Sequence, residues 1–257
     1  KCILLKNRLI KQDSRFERIK SLKDTHVGER CFIVATGPSV TNEDLEALND
    51  EFTISMNSII NVLQDVNYTP DIYMCQDLSV FERIKDKIAT IQENRVYIGI
   101  INSNIKYFLD TGIRLNDVRT FKDIGLFHLD SVSNVFHINF EKRKIKFNFS
   151  DDCYRDIKDG TTITYAAVQL ATYMGFKNIF LVGVDCNYTG SVRHIGECNP
   201  NQDFSDIADD IVRNFNIVFG HAYKELEKRG VALRNATRGG NLNSVPRVDL
   251  DQLLIHR

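Results

Sequence analysis

The densest group of reactive side chains is Asp185-Cys186-Asn187-Tyr188, with Arg193 and His194 close behind. An acid, an amide, a phenol, a cation and an imidazole in so short a stretch suit phosphate binding and proton transfer. Thr36-Gly37-Pro38-Ser39 is a second candidate. A glycine-containing turn lets a ligand approach the backbone, and the helix that follows turns its N-terminus toward an anion. In isolation the tetrapeptide reads as an ordinary strand-to-helix turn. It is neither the GxGxxG dinucleotide fingerprint nor a GxxxxGK[ST] P-loop. Thr161, Thr162 and Thr164 open a helix, where hydroxyls and free N–H groups hold a phosphate or simply cap it, and the two readings stand level. His194 and His221 are the candidate bases; His26, His128, His137 and His256 have no supporting group of residues. Asp249-Leu250-Asp251 matches the DxD metal signature but lacks a buried strand before it, so no metal site is assigned.

These residues need elements to hold them. Short apolar runs predict strands over 31–35, 52–56, 72–75 and 96–101. Each run ends in polar residues: Thr36, Asn57, Gln76-Asp77 and Asn102. In parallel α/β sheets ligands bind beyond the carboxyl ends of the strands, so four successive polar ends say more than any one of them. Ile163, Ala166, Ala167, Leu170, Ala171 and Met174 keep helical spacing up to Gly175, after a cap at 159–162. A strand over 179–184 follows, then a long helix near 205–229. A last strand over 231–233 leads into Asn235-Ala236-Thr237-Arg238-Gly239-Gly240. The expected fold is a single Rossmann-like α/β domain at 31–257, with a mostly parallel sheet and helices on both faces. Residues 1–30 read as a leader segment, and 103–150 as an irregular, lid-like insertion.

The chain has 257 residues, enough for a large buried core. Its charge balance is 33 − 34 = −1, which gives no electrostatic case for nucleic-acid binding. No apolar run approaches the roughly 20 residues of a membrane-spanning helix. Cys31, Cys75 and Cys186 lie in or beside apolar runs and read as buried thiols, whereas Cys153 and Cys198 fall in polar stretches. With no CxxC pair and no secretory signal, a reducing, cytoplasmic setting is expected.

Three of these motifs together resemble a bacterial family of MptE-like or polysaccharide-biosynthesis proteins: Gly37-Pro38-Ser39, the helix–strand unit Thr161 to Asp185, and the loop Asn235 to Gly240. The closing Pro246-Arg247-Val248-Asp249 resembles that family's ending as well. A more distant resemblance is to bacterial lipooligosaccharide sialyltransferases. It implies a metal-independent, cofactor-free enzyme that takes a CMP-sugar on one Rossmann-like domain with a histidine base. Gly37, Pro38, Ser39, Asn57, Thr162 and Tyr188 fall on donor-binding positions. Thr36 stands where those enzymes carry Asn, and Arg193 or His194 where a second tyrosine would be.

The resemblance thus implies a glycosyltransferase of surface polysaccharide or lipooligosaccharide synthesis. Its partners are a nucleotide-sugar donor and a glycan or glycolipid acceptor, with peripheral contact at the inner membrane face. His194 or His221 is the base, and Arg193 and Arg238 steady the leaving phosphate. Thr36, Gln76, Asp77, Asn102, Thr161, Asp185, Asn187, Asn235 and Thr237 complete the expected donor site. The alternatives are a pterin diphosphokinase using ATP and Mg²⁺, with Asp77 and Asp185 as metal ligands, and a non-catalytic nucleotide-binding module.

Overall fold

The computed structural model describes residues 14–88, 90–101, 124–130, 148–188, 194–195 and 205–255. Among the described residues eight strands form one sheet in the order β6-β5-β4-β3-β2-β1-β7-β8, and every pairing is parallel. They are β1 (Arg30–Val34), β2 (Thr53–Met56), β3 (Ile72–Cys75), β4 (Val96–Ile101), β5 (Gly125–Asp130), β6 (Ile157–Lys158), β7 (Asn178–Val182) and β8 (Ala232–Asn235). The helices are α1 (Glu17–Ser21), α2 (Asn42–Leu48), α3 (Leu78–Ile88), α4 (Ile163–Tyr173), α5 (Ala208–Lys228) and α6 (Leu250–Ile255). Among the described residues no helix is long and apolar enough to cross a membrane.

An all-parallel sheet must be covered on both faces, and its strands therefore read as unbroken apolar runs. Cys31, Phe32, Ile33 and Val34 of β1 are fully buried. Cys31 and Ile33 belong to the core beneath α4 and α5, whereas Phe32 and Val34 face the core beneath α2 and α3. Helix α4 is buried nearly all round, with Ala166, Ala167, Leu170 and Ala171 against the sheet centre. Its small residues let it lie close over β1, β2 and β3.

The segment read as an insertion contributes a core strand. Gly125–Asp130 pairs with β4 from Tyr97↔Gly125 to Ile101↔Leu129, and Leu126, Phe127 and Leu129 are buried. A glycine start, a histidine and an aspartate conceal this run from an apolar-run reading. Beta-strand β6 has only two residues and is equally hard to read. Cys153 is buried against α4, its thiol donating to Gln169 O at 3.4 Å, so it sits in the core despite its polar flanks. Residues 24–28 are pinned to the end of α4: the N–H groups of Asp24, His26 and Gly28 donate to Tyr173 O, Met174 O and Gly175 O.

Beyond β1 the chain turns to α2 on one face; beyond β7 it runs toward α5 on the other. Strand order reverses between β1 and β7, and a crevice opens where adjacent connections diverge.

Candidate active site at the β1–β7 switch point

The crevice holds about 520 Å³ of free space. Its walls are Thr36 and Gly37 after β1, Met56 and Asn57 at the end of β2, Thr162–Thr164 opening α4, Gly183–Tyr188 after β7, and His194 with Phe215. Segments far apart in sequence thus meet at the carboxyl edge.

The two central loops hold each other. The Asp185 carboxylate accepts from Ser39 N at 2.9 Å and from the Ser39 hydroxyl through a very short contact. Gly37 N donates to Gly183 O at 2.8 Å. A Cβ on Gly37 would lie 2.4 Å from Gly183 O and 2.6 Å from Asp185 Cγ, so only glycine fits there. Ser39 and Asp185, both expected to bind the donor, are therefore first of all a clasp between loops. Pro38 is exposed beside them.

The helix after this turn is not an anion site. Helix α2 has seven residues, and its N-terminus is closed by the Thr41–Asp44 capping box. The N-terminus that does reach the cleft belongs to α4. Thr162 is its N-cap, accepting from Thr164 N at 3.3 Å, and the Thr164 hydroxyl meets Met56 Sδ at 3.4 Å. Thr161 sits outside on the preceding loop, its N–H donating to Asp159 Oδ1 at 2.8 Å.

His194 lines the cleft with Nδ1 2.9 Å from Thr36 Oγ1. His221 does not: it lies on α5 with Nδ1 3.4 Å from the Tyr165 hydroxyl. Burial holds its imidazole below the ordinary histidine pKa, partly offset by Glu225. Tyr188 packs at 6.0 Å on the Phe215 ring, and burial raises its phenol pKa so that it stays a donor. Burial likewise pushes the Cys186 thiol up to about 12, which removes it as a nucleophile at neutral pH. Asn187 lines the cleft from an exposed position.

The late loop stands behind the cleft. Asn235 ends β8 rather than opening a loop; fully buried, it accepts from Thr237 N at 3.0 Å and donates to Leu242 O. The Thr237 hydroxyl accepts from Val184 N at 2.9 Å. Arg238, expected to steady the leaving phosphate, points instead to Asp44 at 2.8 Å and Asp251 at 2.5 Å. These three residues position the β7 and α2 ends and line no part of the cleft. Asp77 caps α3, accepting from the N–H and hydroxyl of Ser79 at 2.7 Å. Gln76 precedes it with its side-chain oxygen buried and unpartnered. Asn102 and Arg193 lie outside the described residues.

Among the described residues, three at this edge have left-handed backbones without being glycine: Asn57 (φ 47°), Thr161 (φ 64°) and Cys186 (φ 49°). Such strain collects where a site must be held in one shape. Sequence spacing gave no sign of it, nor of Met56 and Phe215 as cleft residues, which look like core positions of a strand and a helix; Thr164, read with Thr161 and Thr162 as a helix-opening hydroxyl, does line the cleft.

The fold is similar to that of the MAf glycosyltransferase from Magnetospirillum magneticum AMB-1, with a TM-score of 0.51 and 14% sequence identity. The similarity covers 93% of this chain and 38% of that protein, so this chain spans well under half its length. No curated protein matches the sequence. A family described as "6-hydroxymethylpterin diphosphokinase MptE-like" matches residues 6–191. With the match running over most of the sequence, the chain belongs to the MptE-like family.

Proposed function

We propose that the cleft binds a nucleotide-sugar and passes its sugar to a hydroxyl of a glycan or glycolipid acceptor, without a metal. The observation that carries this reading is the His194–Thr36 pair in the same cleft as the open end of α4. In the tautomer that donates Nδ1–H to Thr36 Oγ1, Nε2 is the basic ring nitrogen and the one to take the acceptor proton. The acceptor oxygen bonds to the anomeric carbon as the bond from that carbon to the donor phosphate breaks. The proton moves to Nε2. Negative charge grows on the departing phosphate, where the N–H groups opening α4, the Thr162 hydroxyl and the Tyr188 phenol donate. The resemblance to sialyltransferases points to a CMP-sugar and to bacterial surface polysaccharide or lipooligosaccharide as the setting.

His194→Ala should lower kcat by about 10²–10⁴-fold and leave donor affinity unchanged. His221→Ala should remain close to wild type. The reverse pattern sinks the assignment of the base.

A second reading has the family description behind it: diphosphoryl transfer from ATP to a pterin alcohol. Its Mg²⁺ would call on Asp77 and Asp185, which here hold Ser79 and Ser39. Calorimetry with CMP, UMP, GDP and ATP, with and without Mg²⁺, separates the readings. Metal-independent CMP binding favours glycosyl transfer. Mg²⁺-dependent ATP binding with pterin turnover favours the diphosphokinase. Tight binding without turnover of any donor leaves a nucleotide-binding module.

A further inference from the structure

Among the described residues, two side-chain amide oxygens at this edge are buried with no hydrogen-bond partner, Asn57 Oδ1 and Gln76 Oε1; the hydroxyl of Ser58, next to Asn57 in the chain, is a third such group. The two amides follow adjacent strands. Met56 and Met74 pair in register, and Asn57 follows the first directly while Gln76 comes two residues after the second. Each is held in place by something unusual. Asn57 adopts a left-handed backbone, and its carbonyl accepts from the Tyr73 hydroxyl at 2.6 Å. A Cβ at Gly99 would lie 2.9 Å from Gln76 Cβ and 2.8 Å from the Phe127 ring, so β4 makes room for the Gln76 side chain by carrying glycine. A buried acceptor without a partner is costly, and native proteins keep few of them. Two on neighbouring strand ends, one lining the cleft, call for a ligand that donates.

We infer that Asn57 and Gln76 accept the two N–H bonds of an exocyclic amine on a heterocyclic base, and so select amino-bearing over oxo-bearing nucleotides. This rests on the proposed nucleotide-binding role of the cleft and adds what reads the base. An amine fixes the spacing that its two acceptors must meet. Acceptors about 2.9 Å from one nitrogen and about 120° apart are roughly 5 Å from each other. Neighbouring strands stand about 4.8 Å apart. An oxo group in the same place would set three acceptors against one another.

The test uses two pairs of mononucleotides that differ only by this exchange: CMP against UMP, and AMP against IMP. Calorimetry on the whole chain should show the amino member of at least one pair binding about tenfold tighter or more. Gln76→Met, which keeps the length and removes the acceptor, should reduce that preference severalfold. Asn57→Gly, which keeps the left-handed backbone, should do the same. Equal binding within both pairs, or a preference for the oxo member, overturns the inference and leaves the cleft's nucleotide-binding role standing. A preference that survives in Gln76→Met removes Gln76 from the reader. Should Asn57→Gly fail to fold, the mononucleotide pairs and Gln76→Met still decide. If the wild-type chain binds none of the four, both this inference and the nucleotide reading fall.

Discussion

The two sides of the cleft are built on opposite principles. On the β1–β7 side the polar groups are engaged with one another: Ser39 with Asp185, Gly37 with Gly183, Val184 with Thr237, and Asn241 with Asp185 and Cys186. On the β2–β3 side the Asn57 and Gln76 amide oxygens have no partner, and of the two only Asn57 lines the cleft. The motif that stands out most in the sequence, Gly37-Pro38-Ser39, therefore belongs to the side that is already satisfied. Its glycine and serine fix the shape of the crevice. The side that asks for a ligand is made of single polar residues after plain apolar strands. A recognisable motif can thus mark the scaffold of a site while its specificity lies across from it.

The contrast can be broken by stability measurements. Gly37→Val should have the largest effect, about 3 kcal/mol lost in chemical denaturation, because its branches meet Gly183 O and the Asp185 carboxylate. Loss of nucleotide binding in that variant would then report the scaffold rather than a contact. Asp185→Ala should cost about 2 kcal/mol by leaving the Ser39 N–H without its acceptor. Arg238→Ala should cost about 1 kcal/mol, since the guanidinium is 40% exposed although Asp44 is buried. Arg238→Lys should recover only part of this, because lysine lacks the fork that holds two carboxylates.

On the other side the sign should change. Gln76→Met removes an unpaired buried acceptor and should be neutral or stabilising by up to about 1 kcal/mol. A loss of more than about 2 kcal/mol there would mean the amide has a structural partner, and the contrast between the two sides would fail.

The smallest effect is on pH dependence. Burial lowers the His221 pKa in the folded state below its ordinary 6.5. As pH falls below that value the unfolded chain takes up the proton first, so stability present above about pH 6.5 is lost on acidification. Melting curves between pH 7.5 and 5 should show a shallower fall for His221→Gln than for wild type. An identical slope would assign the acid sensitivity to other groups.

The order of apolar runs and polar strand ends was enough to read the α/β class, because a parallel sheet buried on both faces writes continuous hydrophobicity into each strand. The α4 pattern from Ile163 to Met174 was legible for the related reason that a helix over the sheet centre must be small and apolar. Strand β5 was not legible, since its burial comes from neighbours far away in sequence. The same limit applies to the site. Sequence could name Asp185, Ser39, His194 and Asn57 as polar residues near strand ends, but pairing them requires knowing that β7 returns to lie beside β1. Only that long-range pairing turned Asp185 toward Ser39, left Arg238 with Asp44 and Asp251, and set Thr36 against His194. Hydrogen bonds act over about 3 Å, whereas these partners stand 146, 194 and 158 residues apart for Ser39–Asp185, Asp44–Arg238 and Thr36–His194. Local pattern carries no information across such a gap, so the tertiary fold alone decided which polar residues hold the cleft and which face into it.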